Sequence, residues 1–253
     1  MKIDWQPLRD EFALWRRDGL NLPFWWRDDD AIEPTDALQQ LSDLASTSDI
    51  PVHLAVIPRD ATEALGQFVR ETTDLIPVVH GWAHENHAPP DLKKAEFGAT
   101  RDIEASRADL ERSLACLKDL FADRLAPMFV PPWNRIDPAL MTPLAEAGYN
   151  AISTYLPRRE PDAAPGLAQI NTHLDPIFWR GTRGLVVPDD LVALTVALLK
   201  DRRRAITDNS EPFGYLTHHL VHDADIWEFS RQFLQEMSDG PMRPYRHDRK
   251  EQA

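Results

Sequence analysis

Short apolar runs alternate with longer segments of helical periodicity along most of the chain, and this alternation limits its fold more than any other feature. The runs are LPFWWR (22–27), VHLAVI (52–57), IPVVH (76–80), MFVP (128–131), NAIST (150–154) and FGYLTH (213–218). Between them a helix opens at Thr35, with Leu38, Leu41, Leu44 and Ala45 on one face, and another spans 62–72 behind Thr62. The longest spans 101–121, where Leu110, Leu114, Leu117 and Phe121 share a face. Further helices are expected over 137–148, stopped by Gly148, over 189–203 and over 223–237. Strands alternating with helices predict an α/β fold with a mainly parallel sheet. So many such units in 253 residues favour a (β/α) barrel over an open doubly wound sheet. No glycine-rich phosphate loop follows any of the runs, which also disfavours the open form. The stretch 155–187, rich in proline and glycine, yields no element of its own. A single domain over 1–253 is expected, with a core at about 22–237 and a flexible tail at 240–253.

The formal net charge of −13 argues against nucleic acid or an anionic membrane surface as a partner, since both need a basic face. Hydrophobic residues make up 43%, enough for a sizeable core. The single cysteine, Cys116, permits no intrachain disulfide. The segment MKIDWQPLRDEF carries charges where a secretion signal needs an apolar run, and no apolar stretch has membrane-spanning length. The expected location is cytoplasmic.

Unusual residues gather at the C-terminal ends of the expected strands, where α/β barrels build their active sites. Asp28, Asp29 and Asp30 end the first. His80 ends the third and leads into HGWAHENH (80–87). VPPWNR (130–135) ends the fourth, and THHLVHD (217–223) ends the last. Three adjacent carboxylates repel one another. Capping of a helix N-terminus would relieve them, but the next helix opens at Thr35, well past Asp30. A divalent cation relieves them better. His80 and His84, four residues apart, supply imidazoles, and two histidines with one carboxylate leave coordination positions open for water and substrate.

In order and rough spacing, RDDDA, HGWAH, VPPW and LTHH resemble the motifs of the polysaccharide deacetylase family, carbohydrate esterase family 4 with the NodB homology domain. The resemblance covers about 22–220. It implies a distorted NodB-type barrel with about seven parallel strands. The family's Thr-Phe-Asp-Asp-Gly motif ends on Asp28, Asp29, Asp30 and Ala31, implying Asp29 as catalytic base and Asp30 as metal ligand. Its His-Thr/Ser-x-x-His motif falls on His80 and His84, the other two ligands, with Zn²⁺ as the expected ion. Its Leu-x-His motif falls on Leu216 and His218, implying the catalytic acid. An alignment shift of one residue would pass that role to His219.

The departures from the family pattern are Ala31 for glycine, Gly81 for Thr/Ser, and Val130 where an arginine normally holds the base. Arg27 and Arg135 are the two candidates to replace that arginine. Trp82, Pro132, Trp133, Arg135 and His219, within or beside the motifs, are the candidate substrate contacts, because aromatic faces stack on sugar rings. Trp25 reads as core. The implied activity is metal-dependent removal of an acetyl group from an N-acetylated, or O-acetylated, carbohydrate or related small molecule. A non-catalytic carbohydrate-binding barrel and a metal hydrolase of another amide or ester are the alternatives. The oligomeric state is not legible.

Overall fold

The computed structural model describes residues 1–247. It opens with a helix the sequence reading did not assign, α1 (Gln6–Arg17). Trp5, Leu8, Phe12 and Trp15 recur at spacings of three and four and bury one side of α1 together with Glu11, which pairs with Arg203, while Arg9, Asp10, Arg16 and Arg17 face solvent. β1 (Leu22–Ala31) follows, then α2 (Asp36–Ser48) and β2 (Val52–Val56). The order continues with α3 (Glu63–Glu71), β3 (Leu75–His80), α4 (Ile103–Phe121), β4 (Met128–Val130), α5 (Met141–Ala147) and β5 (Ala151–Ile152). Thr35 and Thr62 cap α2 and α3, their hydroxyls accepting from the N–H groups of Leu38 and Leu65.

The stretch 155–187 contains a small antiparallel pair, β6 (Asp162–Ala164) and β7 (Leu167–Gln169). Then come α6 (Pro188–Arg203), β8 (Phe213–Thr217), α7 (Ala224–Ser238) and β9 (Met242–Pro244). The expected tail at 240–253 is therefore a strand in its first part. β9 runs parallel to the start of β1, Tyr245 N–H donates to Phe24 O, and His247 N–H donates to His53 Nε2. Residues 248–253 lie outside the described residues.

The sheet runs β6-β7-β5-β4-β3-β2-β1-β8, and every pairing along it is parallel except β6 with β7. Residues 170–174 bring its two ends together. Thr172 N–H donates to Thr154 O on one side, and His173 N–H to Gly214 O at 2.7 Å on the other. A Cβ at Gly214 would lie 2.5 Å from Asn171 O, so the close approach needs glycine there. The architecture is the distorted α/β barrel that the strand pattern predicted.

Strand alternation sorts the core into two layers. Trp25, Ala55, Val78, Met128, Val130 and Ala151 fill the barrel interior. Phe24, Trp26, Val52, Leu54, Val79, Phe129, Phe213 and Tyr215 face the surrounding helices. Among the described residues no helix is long and apolar enough to cross a membrane.

Candidate active site

β1 does not stop at Arg27 but carries the aspartates within it. Along its pairing with β2, Asp28 faces Leu54 and Ala31 faces Val56, so β1 spends one residue more than its partner. That is a β-bulge, and Asp30 within it has φ 78°. The bulge breaks strict alternation, so Asp29 and Asp30 both reach the barrel mouth although they are neighbours.

Asp30 Oδ1 lies 3.1 Å from His80 Nε2 and 3.4 Å from His84 Nε2. The three ligand atoms fall within 4.8 Å of one another, a set that fits one divalent ion. His80 Nδ1–H donates to Val130 O at 3.0 Å, which fixes the ring with Nε2 toward Asp30. Burial alone would raise the Asp30 carboxyl. The hydrogen bond and charge of His80, with His218 and His84 nearby, overcome burial and hold it well below the carboxylate range. Burial and neighbouring His80 push His84 down, toward the neutral imidazole that a metal ion requires.

The loop carrying His84 is held from below. Glu96, fully buried, accepts from the N–H groups of Trp82 at 3.2 Å and Ala83 at 2.7 Å. Gly81 has φ 61°, and a Cβ there would lie 2.2 Å from Glu96 Oε2 and 2.7 Å from Pro132. The departure from the family's Thr/Ser at this position thus has a local cause. Asp30, His84, Trp133 and Asn134 all have positive φ. Such non-glycine residues cost about 1–3 kcal/mol each, and they concentrate where surrounding structure holds a site in shape.

Arg27 and Asp29, two apart on β1, share the interior face. Arg27 is fully buried. Its Nη2 donates to Asp29 Oδ2 at 3.0 Å, and its Nε lies 2.9 Å from Asp29 Oδ1. The same guanidinium donates to Asn134 Oδ1 and to Ser153 Oγ, each at 2.8 Å. Arg135 donates to Lys94 O instead and makes no contact with Asp29. Of the two candidate arginines, Arg27 is the one beside Asp29.

His218 and His219 part company at the end of β8. His218 enters the mouth, with Nε2 3.9 Å from Asp29 Oδ2. The edge of Trp179 lies against its ring at 4.7 Å, and Asp175 holds that indole by accepting from its N–H at 2.7 Å. In sequence Asp175 reads either as a neighbour of the site or as a turn cap, and Trp179 carries no signal, because the fold alone brings 175–179 beside β8.

His219, an expected substrate contact, turns the other way and is buried at 1% exposure. Its Nδ1 hydrogen-bonds Asp28 Oδ1, while Asp28 Oδ2 accepts from His219 N–H at 3.0 Å and Thr217 Oγ1 at 2.6 Å. Burial works against both charges, yet the pair prevails: Asp28 is lowered by His219, and His219 is raised by Asp28. This is a tie between β1 and β8 on the outer side of the barrel.

Among the other expected substrate contacts, Trp133 borders the ligands, its ring 4.4 Å from that of His84. Trp82 packs against the helix layer, with the Arg112 guanidinium 3.8 Å above its ring. Pro132 is buried beside Gly81.

One expected outcome separates the two histidines. His219→Ala strands buried Asp28 and should cost about 3–5 kcal/mol of stability. Asp28's lowered pKa contributes stability above its unfolded value near 3.9, and His219's raised pKa contributes below its unfolded value near 6.5. The loss should therefore be greatest between about pH 4 and 6.5, as read by denaturant titration. His218→Ala should leave stability within about 0.5–1 kcal/mol of wild type and remove turnover. The reverse pattern would exchange their roles.

No protein-family model and no curated protein matches the sequence. Solved structures do. A Mycobacterium smegmatis protein assigned as a polysaccharide deacetylase superposes with TM-score 0.59 at 17% identity, over 80% of this chain and 70% of that one. PuuE allantoinase gives 0.59 at 14% identity, over 83% and 69%. A family 4 carbohydrate esterase from Streptomyces lividans, in complex with acetate, gives 0.53 at 13% identity, over 89% and 93%. Likeness at such low identity is likeness of fold, and the fold of this chain is that of the NodB-type polysaccharide deacetylases, as the motif resemblance implied.

Proposed function

We propose that this chain is a metal-dependent hydrolase that removes an acetyl group from an N-acetylated carbohydrate or related small molecule. The observation that carries the reading is the convergence of Asp30, His80 and His84 on one point, with Asp29 and His218 beside it. Asp30, His80 and His84 would hold a divalent ion, Zn²⁺ by the chemistry of the set, which would supply Lewis acidity and lower the pKa of a water molecule toward neutrality.

The chain's own residues do the rest. Asp29, held by Arg27, takes the proton from the attacking water. Nε2 of His218 lies 3.9 Å from Asp29 Oδ2, so base and acid border the same point of the mouth, where a scissile amide would meet both from one side. His218 donates its proton to the departing nitrogen, because an amine leaves poorly as an anion. The products are acetate and a free amine. Trp133 and Trp179 wall the cleft on its two sides, next to His84 and His218, and offer apolar surface to a sugar ring or acyl group.

The equal superposition on PuuE allantoinase supports a second reading, hydrolysis of an amide that is not an acetamide. The test that separates them is acetate release by the zinc-loaded chain across N-acetylated amino sugars, with cyclic and linear amides in parallel. Acetate from an amino sugar supports the first reading. Amide cleavage without acetate supports the second, and no hydrolysis of any compound by zinc-replete protein rejects both.

A further inference from the structure

We infer that Arg27 is the positioning residue of this site: it aims the Asp29 carboxylate and, through the same guanidinium, locks the Pro132–Asn134 turn that carries Trp133. The inference rests on the assignment of Asp29 as base. Three observations point to it independently.

The first is the spread of contacts. Arg27 Nη2 donates to Asp29 Oδ2, its Nε lies 2.9 Å from Oδ1, and the guanidinium also donates to Asn134 Oδ1 and Ser153 Oγ. The partners come from three places in the barrel: β1 itself, the turn after β4, and the end of β5. A planar guanidinium with five N–H groups serves such a set, whereas an ammonium has three donors on one atom and reaches one direction at a time.

The second is burial. The side chains of Arg27 and Asp29 are 0% and 4% exposed. With so little of the carboxylate exposed, its orientation is set by the protein, and rotation away from the guanidinium would leave a buried charge unpaired. The orientation so fixed keeps Oδ2 toward His218.

The third is backbone strain. Trp133 and Asn134 have φ 56° and 57°, two successive left-handed residues, one of them bulky. Asparagine tolerates this region and tryptophan does not favour it. The hydrogen bond from Arg27 to Asn134 Oδ1 ties down the turn that presses Trp133 against His84. Base and aromatic wall therefore share one anchor. With Val130 packed in the barrel interior among apolar side chains, that anchor comes from within β1.

The experiment compares the zinc-loaded wild type with Arg27→Lys and Asn134→Gly. The readouts are metal content, kcat and KM on a hydrolysed N-acetylated compound, and crystal structures of all three. Arg27→Lys keeps the buried charge and so guards against simple unfolding. It should retain the ion, lose about 10²-fold in kcat, the order expected for displacing a reacting group by about 1 Å, and shift KM much less. Its crystal structure should show Asp29 turned from its wild-type orientation. Asn134→Gly relieves the backbone and cuts only the tie to the turn. It should raise KM and displace Trp133, with a far smaller loss in kcat.

Wild-type kcat in Arg27→Lys, or an Asp29 that has not moved there, overturns the inference. So does a kcat loss in Asn134→Gly equal to that in Arg27→Lys. If wild type hydrolyses no N-acetylated compound, the deacetylase reading fails while the crystal structures still decide whether Arg27 aims Asp29 and holds the turn.

Discussion

Replacing Asp29 with asparagine is expected to lower kcat by about 10²–10⁴-fold, or roughly 3–5 kcal/mol of barrier, while the metal stays bound. The substitution is nearly isosteric. An amide oxygen still accepts a hydrogen bond from the Arg27 guanidinium, so the buried fork is weakened but not emptied. What the amide lacks is the capacity to take a proton from water. Asp30→Asn should show the opposite pattern, because Asp30 Oδ1 is the atom that faces both imidazoles. Metal content by elemental analysis and turnover on the same compound would be measured for both variants. Full activity in Asp29→Asn removes it from the mechanism. Metal loss there, with retention in Asp30→Asn, reverses the two roles.

The second large effect is loss of the ion. His84→Ala should leave a two-ligand site that holds no zinc after desalting, and hydrolysis should fall to background. Chelation of the wild type should do the same, with zinc restoring activity. His84 suits the test better than His80, because it is partly exposed and its ring supports less of the core. Acidification should mimic both. Burial lowers the pKa of His80, but the adjoining Asp29 and Asp30 raise it by more. Protons therefore compete with metal at His80 from a higher pH than at an ordinary histidine, and zinc affinity should fall as pH drops through that range. Zinc-soaked wild type without bound metal, or His84→Ala with metal and activity intact, would sink the metal-centred reading.

Both expectations use residues legible before any coordinates. Strand parity decided most of the site. In FGYLTHH, the alternation that sends Phe213 and Tyr215 to the helices sends His218 into the barrel and His219 out of it. The same parity puts Arg27 on the face of Asp29 and sends Asp28 to the opposite side. Helix N-termini at Thr35 and Thr62 were legible because a cap is a local interaction within one turn.

The charges of MKIDWQPLRDEF mask the Trp5, Leu8, Phe12 and Trp15 stripe, which is too short to stand out as a helix until it packs against the barrel. The three residues of β9 carry no periodicity that a sequence reading could use. β9 exists because β1 offers it an edge.

The sequence by itself determined the order of six strands and the six helices among them, and the face of most residues on those strands, since these follow from local period; Asp30 as the partner of His80 and His84 came with the motif resemblance. Tertiary structure alone decided four things. The bulge at Asp29–Asp30 depends on register against β2. The choice of Arg27 over Arg135 depends on Asn134 and Ser153 converging from distant strands. The support of Trp82 and Ala83 by Glu96 and the closure of the barrel through 170–174 join segments with no shared pattern. Each is a contact between parts of the chain far apart in sequence, and no local periodicity encodes which distant partner a side chain will meet.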